Sequence, residues 1–152
     1  TRGAHGGFQS PSGKLIVLED LKTWGITYQK DVIQLFFQDV SANEKEVKKD
    51  FPKLNSSTFK KVVLLKQFSF HPRALVKAGN YLIIGGFKEE EDSQLEYNKA
   101  IEGKGVLMLF DTTANKIVSE QELPSAPVFD GISVANGDVY IACENSTIIC
   151  LK

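Results

Sequence analysis

The chain has 152 residues, enough for a domain with a substantial core, and its 42% hydrophobic and 24% charged content is that of an ordinary globular protein. With 18 Lys and Arg against 19 Asp and Glu the net charge is −1, so the basic excess that a nucleic-acid or anionic-membrane surface needs is missing. No apolar run approaches the roughly 18 residues of a membrane span, and two cysteines are too few for a disulfide scaffold.

In chain order, residues 1–13 are rich in Gly, with Ser and Pro, and read as a loop or arm. Thr1 is not an initiator residue, and the sequence is expected to begin at a cut boundary. Residues 14–19 (Lys-Leu-Ile-Val-Leu-Glu) form the first predicted strand, followed by residues 23–28, which alternate and carry aromatic and β-branched side chains, and then by residues 32–38. Residues 41–57 change character, with Glu44, Lys45, Glu46, Lys48 and Lys49. Two alternatives stand there with equal weight: a short exposed helix over 43–50, capped by Asn43 or Ser41 and stopped by Pro52, or a solvated loop. Residues 61–70 read as a strand, and residues 73–77 and 81–87 as a hairpin about Gly79-Asn80. The acidic run at 89–92 lacks the ligand spacing of a calcium loop and reads as the start of a solvated excursion to Lys104.

From residue 105 onward short apolar runs alternate with turn signals. Asn136-Gly137 is the strongest of these, because both residues tolerate a positive φ. With Asn145-Ser146 as the closing turn, Cys143 and Cys150 would share one face of a hairpin, diagonally placed. A strained disulfide and two small buried hydrophobes are then both open, the second being expected. In total the pattern gives about ten strands and at most one short helix, an all-β chain.

Internal similarity sharpens this. Leu75-Val76-Lys77-Ala78-Gly79-Asn80-Tyr81-Leu82-Ile83-Ile84-Gly85 aligns with the eleven residues that begin at Ile132, an offset of 57. Gly13-Lys14-Leu15-Ile16-Val17-Leu18-Glu19 aligns with the segment at Gly105 (offset 92), and that in turn with the segment at Ser146 (offset 41). A unit of about 40–50 residues holding four strands has the size of one β-propeller blade. The expected blades are the end of one at 14–28, then 32–70, 73–123, and a partial three-stranded one at 129–152. About three four-stranded antiparallel blades, the last incomplete, fall short of the roughly four that a closed ring needs. The expected fold is therefore a partial β-propeller over 14–152, completed by other segments or other protein chains, with a self-contained β-sandwich or barrel as the alternative.

At these residues the sequence resembles the pyrroloquinoline-quinone-like (quinoprotein alcohol dehydrogenase-like) propeller repeat proteins. The likeness is to the carboxy-terminal part of the large exported bacterial, planctomycete-type members. It is carried by Arg73-Ala74-Leu75-Val76-Lys77-Ala78-Gly79, Leu82-Ile83-Ile84-Gly85-Gly86, Gly105-Val106-Leu107 with Asp111, the run from Leu123 to Gly131, Tyr140, and Ser146-Thr147-Ile148-Ile149-Cys150-Leu151. Ser12 to Leu18 and Trp24-Gly25 extend it more weakly. The resemblance implies a propeller in an exported (periplasmic or extracellular) protein. It does not imply a working quinone enzyme: Trp24 is the sole Trp, Cys143 and Cys150 are not adjacent, and no acidic cluster matches a calcium site. No catalytic residue is carried over, and no cofactor is predicted, pyrroloquinoline quinone with calcium being the minority alternative. Ile84-Gly85-Gly86-Phe87 is also similar to a kelch repeat, whose downstream Trp is absent.

His5 and His71 are the only histidines, too few for a zinc site, and His71 before Pro72 reads as a junction residue. Two side chains remain as candidate ligand-facing groups. Arg73 opens a predicted innermost strand, where its head either enters a central channel or bonds a neighbouring blade. Asp130 stands at a blade entry, where it either caps a turn or faces a ligand. The function expected is a non-catalytic propeller module acting as scaffold or binding platform within a larger exported protein or multi-subunit assembly. The alternative is part of a quinone- or haem-dependent oxidoreductase whose active site lies mostly outside this chain.

Overall fold

A computed structural model describes residues 13–20, 22–29, 32–39, 63–88 and 104–152. The arm at 1–12, the helix-or-loop segment at 41–57 and the acidic run at 89–92 lie outside the described residues. Eleven strands are described: β1 (Gly13–Glu19), β2 (Lys22–Gln29), β3 (Val32–Asp39), β4 (Val63–Gln67), β5 (His71–Ala78), β6 (Tyr81–Phe87), β7 (Gly105–Asp111), β8 (Lys116–Leu123), β9 (Pro127–Ala135), β10 (Asp138–Cys143) and β11 (Ile148–Leu151). They form three antiparallel sheets, β1-β2-β3-β4, β5-β6-β7-β8 and β9-β10-β11, each a meander in which sequential strands are hydrogen-bonded neighbours. The chain is all-β among the described residues.

The chain divides into two compact units, Thr1–Lys66 and Gln67–Lys152. In the first unit Leu15, Ile26 and Leu35 sit opposite one another across three strands, so their side chains share one sheet face, and all three are buried. Trp24 joins that face and lies 5.2 Å from Phe37, ring to ring. Phe36, fully buried, points to the other face, where its ring closes over Gly25.

The expected break between 14–28 and 32–70 is not a sheet boundary. β2 and β3 pair along their whole length, from Lys22↔Asp39 to Gln29↔Val32, so β1, β2, β3 and β4 belong to one four-stranded sheet. A short polar link reads the same in sequence whether it joins hairpin strands or successive sheets. The 92-residue offset fails for a related reason: β1 is the first strand of its sheet and β7 the third, and any short half-buried strand carries this apolar pattern. The second sheet runs from His71 to Leu123 and the third from Pro127 to Leu151.

The offsets of 57 and 41 connect equivalent positions. β5 and β6 align with β9 and β10, and β7 aligns with β11, third strand to third strand. Both predicted hairpins form. Gly79-Asn80 links Ala78↔Tyr81, with positive φ at Gly79 (55°), and Asn136-Gly137 links Ala135↔Asp138 with positive φ at both (54° and 87°), as a type I′ turn requires.

In the second unit the second and third sheets pack face on. Ala74, Ile83, Leu107 and Leu123 of one meet Ile132, Ile141 and Cys143 of the other, with Val76, Ala78, Leu109, Val134, Val139, Ile149 and Leu151 around them. At about 25 cal/mol per Å² such burial is the main force joining the two sheets. Approach is close at Gly85, where an added Cβ would lie 2.6 Å from Ile132 Cδ1 and 3.0 Å from Pro127 Cγ.

Cys143 and Cys150 do not share a face. The β10–β11 loop has three residues, Glu144-Asn145-Ser146, closed by Cys143 N–H donating to the Thr147 carbonyl (2.9 Å) and Ser146 N–H to the Cys143 carbonyl (3.1 Å), with Ser146 at φ 63°. A two-residue loop at Asn145-Ser146 would have shifted the pairing by one, and a one-residue shift turns a side chain to the opposite face. Cys150 therefore stands opposite Tyr140 on the outer face, while Cys143 lies in the core beside Ile141. Both thiols are free, Cys143 buried and Cys150 exposed.

Candidate functional site

Arg73 sits on a β-bulge. β5 pairs regularly with β6 from Ala78↔Tyr81 to Ala74↔Gly85 and resumes at Pro72↔Gly86, which leaves Arg73 as the extra residue. A bulge re-aims the side chain it carries. Here the guanidinium leaves its own sheet for the third one: Nη1 donates to Glu144 Oε1 in the β10–β11 loop and lies 3.4 Å from the Pro127 carbonyl at the start of β9. Arg73 Cζ also lies 5.9 Å from the centre of the Phe87 ring, within cation–π range. Phe87 is buried and stacks on its other partner, His71, at 5.2 Å and 20°. The Arg73 and Glu144 side chains are 20% and 21% exposed. At that depth a charge-assisted pair is stronger than a surface one.

Asp130 also lies on a bulge, and at the repeat-equivalent position, since the offset of 57 carries Arg73 to Asp130. β9 pairs with β10 up to Ile132↔Ile141 and again only at Pro127↔Cys143, so residues 128–131 bow out of the ladder against Ala142 alone. The excursion is two residues longer than the one at Arg73. Asp130 adopts φ 56°, and it and Phe129, 61% exposed, project into solvent. No side-chain hydrogen bond or ion pair of Asp130 occurs among the described residues. The structure thus places the two candidates on matching bulges of successive sheets: one is engaged by the next sheet, and no side-chain partner of the other occurs among the described residues.

The loop that holds Glu144 is built by its neighbours. Glu144 N–H donates to the Ala126 carbonyl (2.9 Å), Asn145 N–H to Ser125 Oγ (3.3 Å), and Asn145 Oδ1 accepts from Thr147 N–H (3.2 Å) and Thr147 Oγ1 (2.6 Å). Ser125 is buried, so its hydroxyl ties the loop to the segment entering β9. Sequence reasoning missed Glu144, Phe87 and Pro127 as partners of Arg73. An acidic residue in a polar turn gives no signal of a contact 71 residues away.

Burial pushes the Cys143 thiol above its ordinary value, keeping it in the neutral thiol form that a core position requires. Among the described residues no group of three or more His, Cys, Asp or Glu is arranged to hold a metal ion. No described helix is long and apolar enough to cross a membrane.

No protein-family model matches the chain, and no curated protein matches it. Among solved structures it is similar to Pyrococcus horikoshii acylaminoacyl peptidase in an orthorhombic crystal form, at 12% identity and a TM-score of 0.46 over 86% of this chain and 23% of that one. It is also similar to an acylaminoacyl peptidase in complex with Z-Gly-Gly-Phe-chloromethyl ketone (16% identity, TM-score 0.45, 87% of this chain and 23% of that one). The uncomplexed Pyrococcus horikoshii enzyme gives 13% identity and a TM-score of 0.44. The chain spans 23% of the length of the solved structures it matches.

Proposed function

We propose that this chain is a non-catalytic segment of a β-propeller, related to the pyrroloquinoline-quinone-like repeat proteins. In this reading it acts as a scaffold or binding platform within a larger exported protein or multi-subunit assembly. One observation supports the reading above others: consecutive antiparallel meanders of four, four and three strands, the last two packed face on with their first strands, β5 and β9, against each other. A propeller repeats that relationship around an axis, with successive blades related by a near-constant sequence offset. The Arg73–Glu144 pair and the Gly85 approach are what a blade-to-blade joint needs: a polar clasp at one end and close apolar contact along the rest. Recognition then belongs to the loops and the inner strand starts, where Phe129 and Asp130 are exposed.

Pyrroloquinoline quinone and Ca²⁺ added to the intact protein test the non-catalytic reading. The expected result is no bound-quinone absorbance and no dye-linked alcohol oxidation. Stoichiometric quinone binding with turnover would replace this reading with the oxidoreductase one.

A further inference from the structure

The second sheet presents to the third a face made of Ala74, Val76, Ile83, Gly85, Leu107 and Leu109. The offsets of 57 and 41 map this face onto the outer face of the third sheet: Val76 to Ser133, Ile83 to Tyr140, Gly85 to Ala142, Leu107 to Ile148 and Leu109 to Cys150. Register confirms that these positions share that outer side, since Tyr140 pairs with both Ser133 and Cys150, and Ala142 with Ile148. In the second sheet the face is covered. In the third it is open: Ile148 is 75% exposed, Cys150 is exposed and Tyr140 is half-buried. At the end of this face stands Asp130 on its bulge, in the place from which Arg73 clasps Glu144 across the covered joint.

We propose that the outer face of the third sheet, with Asp130, is a docking surface for a further antiparallel β-sheet that carries a lysine or arginine in the turn after its second strand. The proposal rests on the propeller reading for its geometry and adds the chemistry of the partner. The joint between the second and third sheets is the template, and the open face continues it. The sign of the clasp is reversed: where Arg73 reaches an acidic residue between the second and third strands of the next sheet, Asp130 offers a carboxylate to a cation at that same place. Ala142 replaces Gly85, so the incoming sheet stays slightly further out and needs a smaller side chain than Ile132 opposite it. Ser133 and Tyr140 give this joint polar atoms that Val76 and Ile83 do not.

The test compares Cys150 in two samples: the intact protein or assembly as isolated from its source, and the 152-residue chain alone. N-ethylmaleimide is the probe. Docking predicts that modification of Cys150 is slowed about tenfold or more in the intact protein. It predicts that Asp130→Arg and, separately, Ile148→Asp restore the rate seen for the chain alone; both residues are exposed, so neither variant removes core packing, and circular dichroism of each checks that the fold is kept. A benzophenone side chain at position 148 should cross-link to a strand of a sheet outside this chain. Equal Cys150 rates in the two samples, cross-links to a helix or a loop, or shelter indifferent to Asp130→Arg would each overturn the proposal. So would shelter in the chain alone accompanied by a doubled mass in light scattering, which would make the face an interface between copies. Electron micrographs separate this outcome from the propeller reading. Intact protein without a ring, but with Cys150 sheltered by a sheet, defeats that reading and leaves the docking face standing. A ring with Cys150 freely reactive defeats only the docking face.

Discussion

Arg73 Nη1 donates to Glu144 Oε1 across the joint between the second and third sheets, joining residues 71 apart in sequence. Its energetic weight comes from depth, because both side chains are about four-fifths shielded and each would be left with a poorly solvated charge if the other were removed.

Arg73→Ala or Glu144→Ala should each lower stability by about 1–3 kcal/mol. The double variant should cost less than the two singles summed, with a coupling of about 0.5–3 kcal/mol. Urea denaturation of the four proteins measures this. Strict additivity would mean that the pair contributes nothing to the joint.

Gly85 and Gly86 should respond differently to alanine. At Gly86 a Cβ would sit 2.1 Å from the His71 carbonyl oxygen, which is backbone and cannot yield. At Gly85 the nearest atom is the end of the Ile132 side chain. Gly86→Ala should therefore cost about 3 kcal/mol and Gly85→Ala about 1 kcal/mol, within the usual range for overpacking. Thermal denaturation ranks them, and the reverse order would contradict the packing described at the joint.

The native chain should react with one equivalent of maleimide, at Cys150, and with two after unfolding. Mild oxidation should produce no Cys143–Cys150 bridge, because the two thiols lie on opposite faces of the sheet. Peptide mapping of the oxidised monomer checks this, and an intramolecular disulfide would place the three-residue loop in error.

Stability should fall in alkali. The Cys143 thiol is raised above 9.0 and the Tyr28 phenol above 10.0, both by burial. A raised folded-state value means that the native state holds its proton where the unfolded chain has released it. The stabilisation is complete below pH 9 and is lost as pH climbs through the folded-state values. Cys143→Ala should flatten the decline that begins near pH 9, measured as the urea midpoint against pH. An unchanged slope would show that Cys143 does not contribute to it.

Much of the strand pattern was legible because hairpins announce themselves locally. Asn136-Gly137 and Gly79-Asn80 supply positive φ where a two-residue loop needs it, and both form. The break at residues 29–32 misled, because nothing local distinguishes a hairpin link from a step to the next sheet. The faces of Cys143 and Cys150 misled because one residue of loop length decides them, and Glu144-Asn145-Ser146 supports either a two- or a three-residue turn. The sequence marks Arg73 and Asp130 at blade entries; the bulges that carry them, inside β5 and β9, show only in the strand pairing. Their difference was not legible, since Glu144 and Phe87 reach Arg73 only through the packing of two sheets.

A cryo-electron microscopy map of the intact protein tests directly whether the three sheets are successive units of one ring. The predicted map has the three sheets arranged as consecutive radial blades about one axis, with β5 and β9 nearest that axis. A map in which the strands instead form a self-contained sandwich or a closed barrel, with no axis shared by further sheets, would contradict it.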